Sequence, residues 1–266
     1  MEPAVRRVDH IVAFAADAPG LFGLLADGLQ LPVVWPMLAF GGYVSGGVSV
    51  GNLNVEVTPA GEPAGAQWRG LVLEPGPIEA SLAELDRRGL KHSPPDGYAG
   101  EALRGTPDFN PATPPGTRLW RISWLSDLPG PAYVALCDYN YQALQPPAHY
   151  AEVLRGRQGG PLSLTGAAEI VLGVSDLAAA TARWQALLDP AAPSAPGHWP
   201  LGAGPDLRLV SAASDAIQGL TLKVASLDQA EDYLRTHALL GQAGEAELTL
   251  APERVQGLAI KIVEAV

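Results

Sequence analysis

Two stretches of this chain repeat one another, and the repeat restricts the architectures open to it. Residues 8–19, VDHIVAFAADAP, match residues 167–178, AAEIVLGVSDLA. Residues 69–90, RGLVLEPGPIEASLAELDRRGL, match residues 218–239, QGLTLKVASLDQAEDYLRTHAL. Each is an apolar, strand-like run followed by apolar residues at helical spacing. Leu21, Leu24, Leu25 and Leu29 mark the first helix. The second, over 78–88, stops at Gly89, a residue suited to a left-handed C-terminal cap. Asp176 is placed to cap the third, which runs to Leu188, and the fourth spans 227–238.

The segments between successive helices separate the possible folds. Short strands are expected around 43–50 and 52–58, at 118–125 and 132–138, at 207–211, and at 246–250 and 258–263, with no second helix among them. A ferredoxin-like tandem shares the strand–helix–strand opening but needs that second helix. The chain therefore reads as α+β, built from four βαβββ units. One such unit leaves a sheet face apolar, so units close in pairs. This divides the chain into a first domain over 1–145, a linker over 146–165 and a second domain over 166–266. The linker holds Pro146-Pro147 and Gly159-Gly160-Pro161, with a helical turn at 150–155. Pro- and Gly-rich loops are expected at 93–116 and 190–205.

Composition narrows the partners. Of 266 residues, 47% are hydrophobic and 17% charged, enough for a sizeable core. The net charge of −11, with basic clusters no larger than pairs such as Arg87-Arg88, argues against nucleic acid. A single cysteine, Cys137, precludes an internal disulfide and a cysteine-held zinc or iron–sulfur site. No apolar run reaches the ~20 residues of a membrane span, and residues 1–7 lack the apolar core of a signal peptide. A cytoplasmic protein is expected, monomeric or homodimeric, with a small-molecule ligand and no membrane partner.

Three segments carry a resemblance. VDHI (8–11), SGGVSVGNLNVEV (45–57) and GTRLWRISWLSDLPGPAYVALCDYN (116–140) are similar to strands of the glyoxalase/bleomycin resistance/extradiol dioxygenase group, the vicinal oxygen chelate superfamily. The resemblance covers residues 5–140; over 165–266 it rests on pattern alone. It implies two glyoxalase-like domains of tandem βαβββ units, the second degenerate. It also implies a divalent metal (Fe, Mn, Ni or Zn) held by His10 and Glu56, which polarises a carbonyl or stabilises an enediolate. The activity so implied is that of a lyase, isomerase or dioxygenase acting on a small oxygenated substrate. Drug-binding members imply the alternative, a metal-free protein that binds or sequesters a small molecule. Superfamily members use three or four ligands, and here the third comes from Cys137, Asp138, His92 or His149. The later units depart from the pattern. The positions matching His10 are Gly70, Glu169 and Gly219. Those matching Glu56 are Leu136 or Cys137, then Val210 and Ile262.

The residues themselves suggest a cavity in the first domain. Glu56 is a candidate general base toward a proton beside a carbonyl. Asn52 and Asn54 share its parity along the strand. Trp120 and Trp124, with Tyr133, form either an aromatic wall or ordinary core. Arg69 and Arg121 suit a substrate carboxylate or, more plainly, the surface. Tyr139 and Tyr141 are placed to close the cavity mouth. Cys137 reads as a buried inert thiol, and Gly41-Gly42 and Gly46-Gly47 as turns or bulges. No phosphate loop and no nucleophile elbow is present.

Overall fold

The computed structural model describes residues 3–61, 65–106 and 109–265. Met1 and Glu2, residues 62–64, Pro107 and Asp108 of the loop at 93–116, and Val266 lie outside the described residues. The first unit comprises β1 (Val5–Ala15), α1 (Ala18–Gly23), a π-helical turn (Leu24–Gly28), β2 (Val33–Phe40), β3 (Tyr43–Ser49) and β4 (Asn54–Pro59). The second comprises β5 (Ala66–Pro75), α2 (Ile78–Arg87), β6 (Asp96–Tyr98), β7 (Trp120–Leu125) and β8 (Tyr133–Tyr139). A linking helix, α3 (Pro147–Gly156), comes next. The third unit is β9 (Leu164–Val174), α4 (Leu177–Leu188), β10 (His198–Trp199) and β11 (Asp206–Ser211). The fourth is β12 (Ala216–Val224), α5 (Leu227–Thr236), β13 (Leu240–Ala243), β14 (Glu247–Leu250) and β15 (Ile260–Glu264).

Two mixed sheets result. The order in the first is β2-β3-β4-β1-β5-β8-β7-β6, and in the second β10-β11-β9-β12-β15-β14-β13. Each unit pairs its first and last strands in parallel: β1 with β4, β5 with β8, β9 with β11 and β12 with β15. Units then join through their first strands, β1 antiparallel to β5 and β9 antiparallel to β12. The βαβββ reading holds for three units, while the third has one strand fewer among the described residues.

Local chemistry explains the element boundaries. The Asp17 and Asp176 carboxylates each accept a backbone N–H at a helix start, at 2.9 Å, and the Ser226 hydroxyl accepts one at 3.2 Å. Gly89 ends the α2 region at φ +67°, where a side chain would be strained. β2 was not expected from the sequence, because Pro36 interrupts it. The sheet tolerates that proline because β2 is an edge strand with no ladder to complete on its outer side. Gly46 and Gly47 lie inside β3 rather than in a turn. A Cβ at Gly46 would sit 2.7–2.8 Å from Met37 and Phe22, and one at Gly47 would sit 2.5 Å from the Trp35 ring. These glycines let aromatic rings cross the strand on both faces.

One apolar core runs through both sheets, joining Ile11, Leu21, Leu71 and Leu85 to Ile170, Trp184 and Leu222. Burial of each large side chain contributes ~1.5–3 kcal/mol. Polar bonds fix the register between the sheets. The Asn52 amide donates to the Ala167 carbonyl at 3.0 Å and accepts the Ala167 N–H at 2.6 Å. Trp184 Nε1 donates to the Pro129 carbonyl at 2.9 Å. No helix among the described residues is long and apolar enough to cross a membrane.

Candidate functional site

The first sheet has a second face, turned away from the shared core. Register sets what it displays. His10 lies opposite Asn54, and Val12 opposite Glu56. On the other flank His10 lies opposite Val72 and Val12 opposite Gly70, and β8 then adds Tyr133 and Ala135 in line. Cys137 pairs with Ile122, and Tyr139 with Trp120. Residues of one parity therefore share this face, where Val12, Val72, Ala135 and Cys137 form a small buried apolar cluster.

Asp9 breaks the alternation. The β1–β5 register shifts between Val8 and His10, which makes Asp9 the extra residue of a β-bulge. Asp9 and His10 both line the same cavity as a result. His10 Nδ1 lies 2.7 Å from an Asp9 oxygen, and His10 Nε2 lies 3.1 Å from a Glu56 oxygen. The Tyr139 hydroxyl donates to the Asp9 oxygen that faces His10, at 2.9 Å. Arg7 donates to the other Asp9 oxygen at 2.8 Å and to Glu74 at 2.6 Å. A continuous chain of charge thus runs Glu74–Arg7–Asp9–His10–Glu56, from beside the sheet into the cavity.

Burial opposes charge on His10, yet the hydrogen bonds and charges of Asp9 and Glu56 outweigh it and raise the imidazole from 6.5 to about 9. Burial pushes the Asp9 carboxyl up. The bond from His10, with His10 and Arg7 nearby, overcomes this and holds it below the ordinary carboxylate value. At neutral pH the imidazole is therefore a cation donating from both nitrogens. Burial drives the Cys137 thiol and the Tyr139 phenol well above their usual values, so both stay protonated. The reading of Cys137 as an inert buried thiol agrees with this.

Aromatic rings build the remaining walls. Trp35 meets His10 edge-on at 6.3 Å, and its indole N–H donates to the Ser45 hydroxyl at 3.1 Å. Phe40 stacks on Tyr43, Tyr98 on Trp120 and Tyr139 on Tyr141. Leu103 and Thr106 of the 93–116 loop and Tyr150 of α3 complete the lining. The cavity volume is about 140 Å³, room for on the order of ten waters or a molecule of about one ring.

The sequence-derived candidates fall into two groups. His10, Asn54, Glu56 and Trp120 meet in the cavity, with Tyr139 and Tyr141 at its wall. Tyr133 lies on the same sheet face farther along, its ring over Gly70, between Phe14 at 6.3 Å and Trp124 at 5.6 Å. Trp124 is 41% exposed. The other candidates lie elsewhere. Asn52 precedes β4 and is committed to Ala167. Arg69 is exposed at a register shift between Gly70 and Trp68. Arg121 has the opposite parity to Trp120 and pairs with Asp138, and with Glu79 at the surface. Sequence reading missed Asp9, Trp35, Phe40, Tyr43 and Tyr150. For Asp9 a signal existed, an acid beside a histidine within an apolar strand.

The metal ligands do not add up. Among the described residues no group of three or more His, Cys, Asp and Glu side chains is arranged to hold an ion. Asp9 and Glu56 sit on opposite nitrogens of His10 and so do not converge on one point. Of the four candidates for a third ligand, Cys137 alone lines the cavity, as a protonated thiol. Asp138 is bound to Arg121, His92 contacts Ser93, and His149 packs on Tyr150.

Register also corrects the matches to Glu56. Its partner Val12 corresponds to Val72, Val171 and Thr221 in the later units. Across from these stand Ala135, Arg208 and Lys261, rather than the residues expected from sequence. The numbering slipped because helix-to-strand distances differ between units. In the second sheet the His10–Glu56 pair is replaced by Glu169 and Arg208, joined through two bonds at 2.5 and 2.9 Å.

No protein-family model and no curated protein sequence matches the chain. Solved structures do. The 2,3-dioxygenase LapB from Pseudomonas sp. KL28 matches with a TM-score of 0.64 at 13% identity, over 100% of this chain and 94% of that one. Homoprotocatechuate 2,3-dioxygenase from Arthrobacter globiformis matches with 0.64 at 12%, over 99% and 80%. A hypothetical protein from Staphylococcus aureus matches with 0.62 at 8%, over 97% and 99%. The chain thus shares the overall fold of these structures, 2,3-dioxygenases among them, over nearly its whole length.

Proposed function

We propose that the cavity of the first sheet binds a small organic molecule of about one ring, and that the His10–Glu56 pair acts on it by holding or moving a proton, without a metal. The carrying observation is the Asp9–His10–Glu56 chain opening into a largely apolar, aromatic cavity. Rings supply non-directional binding area, and a few convergent polar groups fix orientation. Asp9 holds the imidazole through Nδ1, so Nε2 is aimed at Glu56. Of the three side chains, Glu56 is the most exposed, at 14%. A ligand that displaces the Glu56 contact meets both a carboxylate base and an imidazolium acid within hydrogen-bond reach. Asn54, beside His10, is a further donor and acceptor for an oxygen on the ligand. Binding or sequestration without turnover needs no more than this.

A specific observation favours a second reading, a lyase, isomerase or dioxygenase using Fe, Mn, Ni or Zn at His10 and Glu56. A carboxylate behind the far nitrogen is the usual support of a metal-ligating histidine, and the fold is that of dioxygenases. The missing third ligand weighs against it. Elemental analysis of protein purified without a histidine tag separates the two, repeated on His10→Ala and Glu56→Ala. Substoichiometric metal after reconstitution, with ligand binding intact, supports the metal-free reading. One equivalent of metal, lost in both variants, refutes it.

A further inference from the structure

Charge in the cavity limits what enters it. Among the described residues that line it there is no lysine and no arginine. The His10 imidazole directs both nitrogens at carboxylates, Nδ1 at Asp9 and Nε2 at Glu56. An anionic ligand would find no free cationic donor. It would also meet Glu56 first, because the side-chain exposures are 14% for Glu56, 8% for His10 and 3% for Asp9.

The walls answer the same question. Trp35, Phe40, Tyr43, Trp120 and Tyr139 line the cavity around that carboxylate. Stacked pairs, Phe40 on Tyr43 at 5.5 Å and Tyr139 on Tyr141 at 5.8 Å, hold the walls in place before any ligand arrives. Gly47 admits the Trp35 ring and so shapes the wall beside His10. Ring faces attract cations through their quadrupoles, more strongly when the site is dry. Rigid aromatic walls with a carboxylate among them suit an organic cation.

We infer that the cavity selects a small organic cation, an amine or quaternary ammonium carried on about one ring, with the ammonium at Glu56 and the ring among Trp35, Tyr43 and Trp120. This rests on the proposal that the cavity is a binding site, and adds the sign of its ligand. Carboxylates and phosphates are excluded.

A series of one-ring probes matched in size tests it: benzylammonium, benzyl alcohol and benzoate, titrated by calorimetry at pH 7 into the full chain. Benzylammonium is expected to bind at least roughly tenfold more tightly than benzyl alcohol, and benzoate not measurably. Glu56→Gln should weaken benzylammonium roughly tenfold and bring its affinity to within about twofold of that of benzyl alcohol in the same variant. Benzyl alcohol serves as the folding control, since its binding requires an intact cavity. Equal binding of benzylammonium and benzyl alcohol, or tighter binding of benzoate, would overturn the inference while leaving the cavity a binding site. No binding by any probe, in protein folded by circular dichroism, would instead overturn the reading on which it rests.

Discussion

Replacing Glu56 by glutamine removes one of the two charges that hold the His10 proton and changes little else in shape. In the native protein the imidazole rises from 6.5 to about 9, equivalent to about 3 kcal/mol of preference for the charged form. Because the folded value lies above the unfolded one, this stabilisation is complete below pH 6.5 and is lost as pH rises through 9. An opposite charge in hydrogen-bond contact moves a pKa by roughly one to three units. The His10 resonance in Glu56→Gln should therefore titrate roughly one to three pH units lower. The part of its stability that disappears above neutral pH should shrink by roughly 1–3 kcal/mol. Proton NMR of the imidazole C–H signals reads this directly, since the chain has five histidines and His10→Gln identifies the resonance. A His10 that titrates near 6.5 in the native protein, or at the same pH with and without Glu56, would refute the charge chain.

Other consequences arise from the same contacts. Asp9→Asn leaves His10 and Arg7 buried without their shared anion and should cost about 3–5 kcal/mol in urea unfolding at pH 7. Asp9 is held below its ordinary value, so its contribution is present above pH 3.8 and fades as pH falls further. The gap between native and variant should close in acid. Gly70→Ala drives a methyl into the Tyr133 ring, which would lie 2.2–2.4 Å away. Overpacking of this kind costs about 1–3 kcal/mol, and a shifted Tyr133 would show in near-ultraviolet circular dichroism. Asn52→Ala removes two bonds between the sheets and should cost about 1–3 kcal/mol by chemical denaturation, with ligand binding unchanged.

The repeat pattern made the fold legible because each unit opens with the same apolar strand and amphipathic helix. What it hid was set by position in the sheet. β2 carries Pro36 and fully buries none of its residues, so it lacks a strand's usual signature, and only its place at the edge makes it viable. The third unit's short β10, His198–Trp199, lies inside a Pro-rich stretch that reads as loop. His10 and Glu56 were named from family likeness, since parity alone left Glu56 facing either solvent or cavity, and the strand register is what brings them into contact. Asp9 was missed because strict alternation places it on the core face, and a bulge is invisible without the pairing strand. Arg121 shows the opposite failure. Its parity against Trp120 already pointed it away from the cavity, but its charge drew the assignment of a substrate contact. Side chains that arrive from distant segments, such as Tyr150 of α3 and Leu103 of the 93–116 loop, left no local signal at all.

Binding by metal-stripped protein tests the central claim most directly. Chelator-treated protein titrated with benzylammonium and benzyl alcohol, and followed by NMR, should show saturable shifts of the His10 ring and the Trp35 indole N–H with no metal added. Shifts that appear only after one equivalent of a divalent ion is restored, and vanish in His10→Ala, would contradict the account and establish the metal-dependent one in its place.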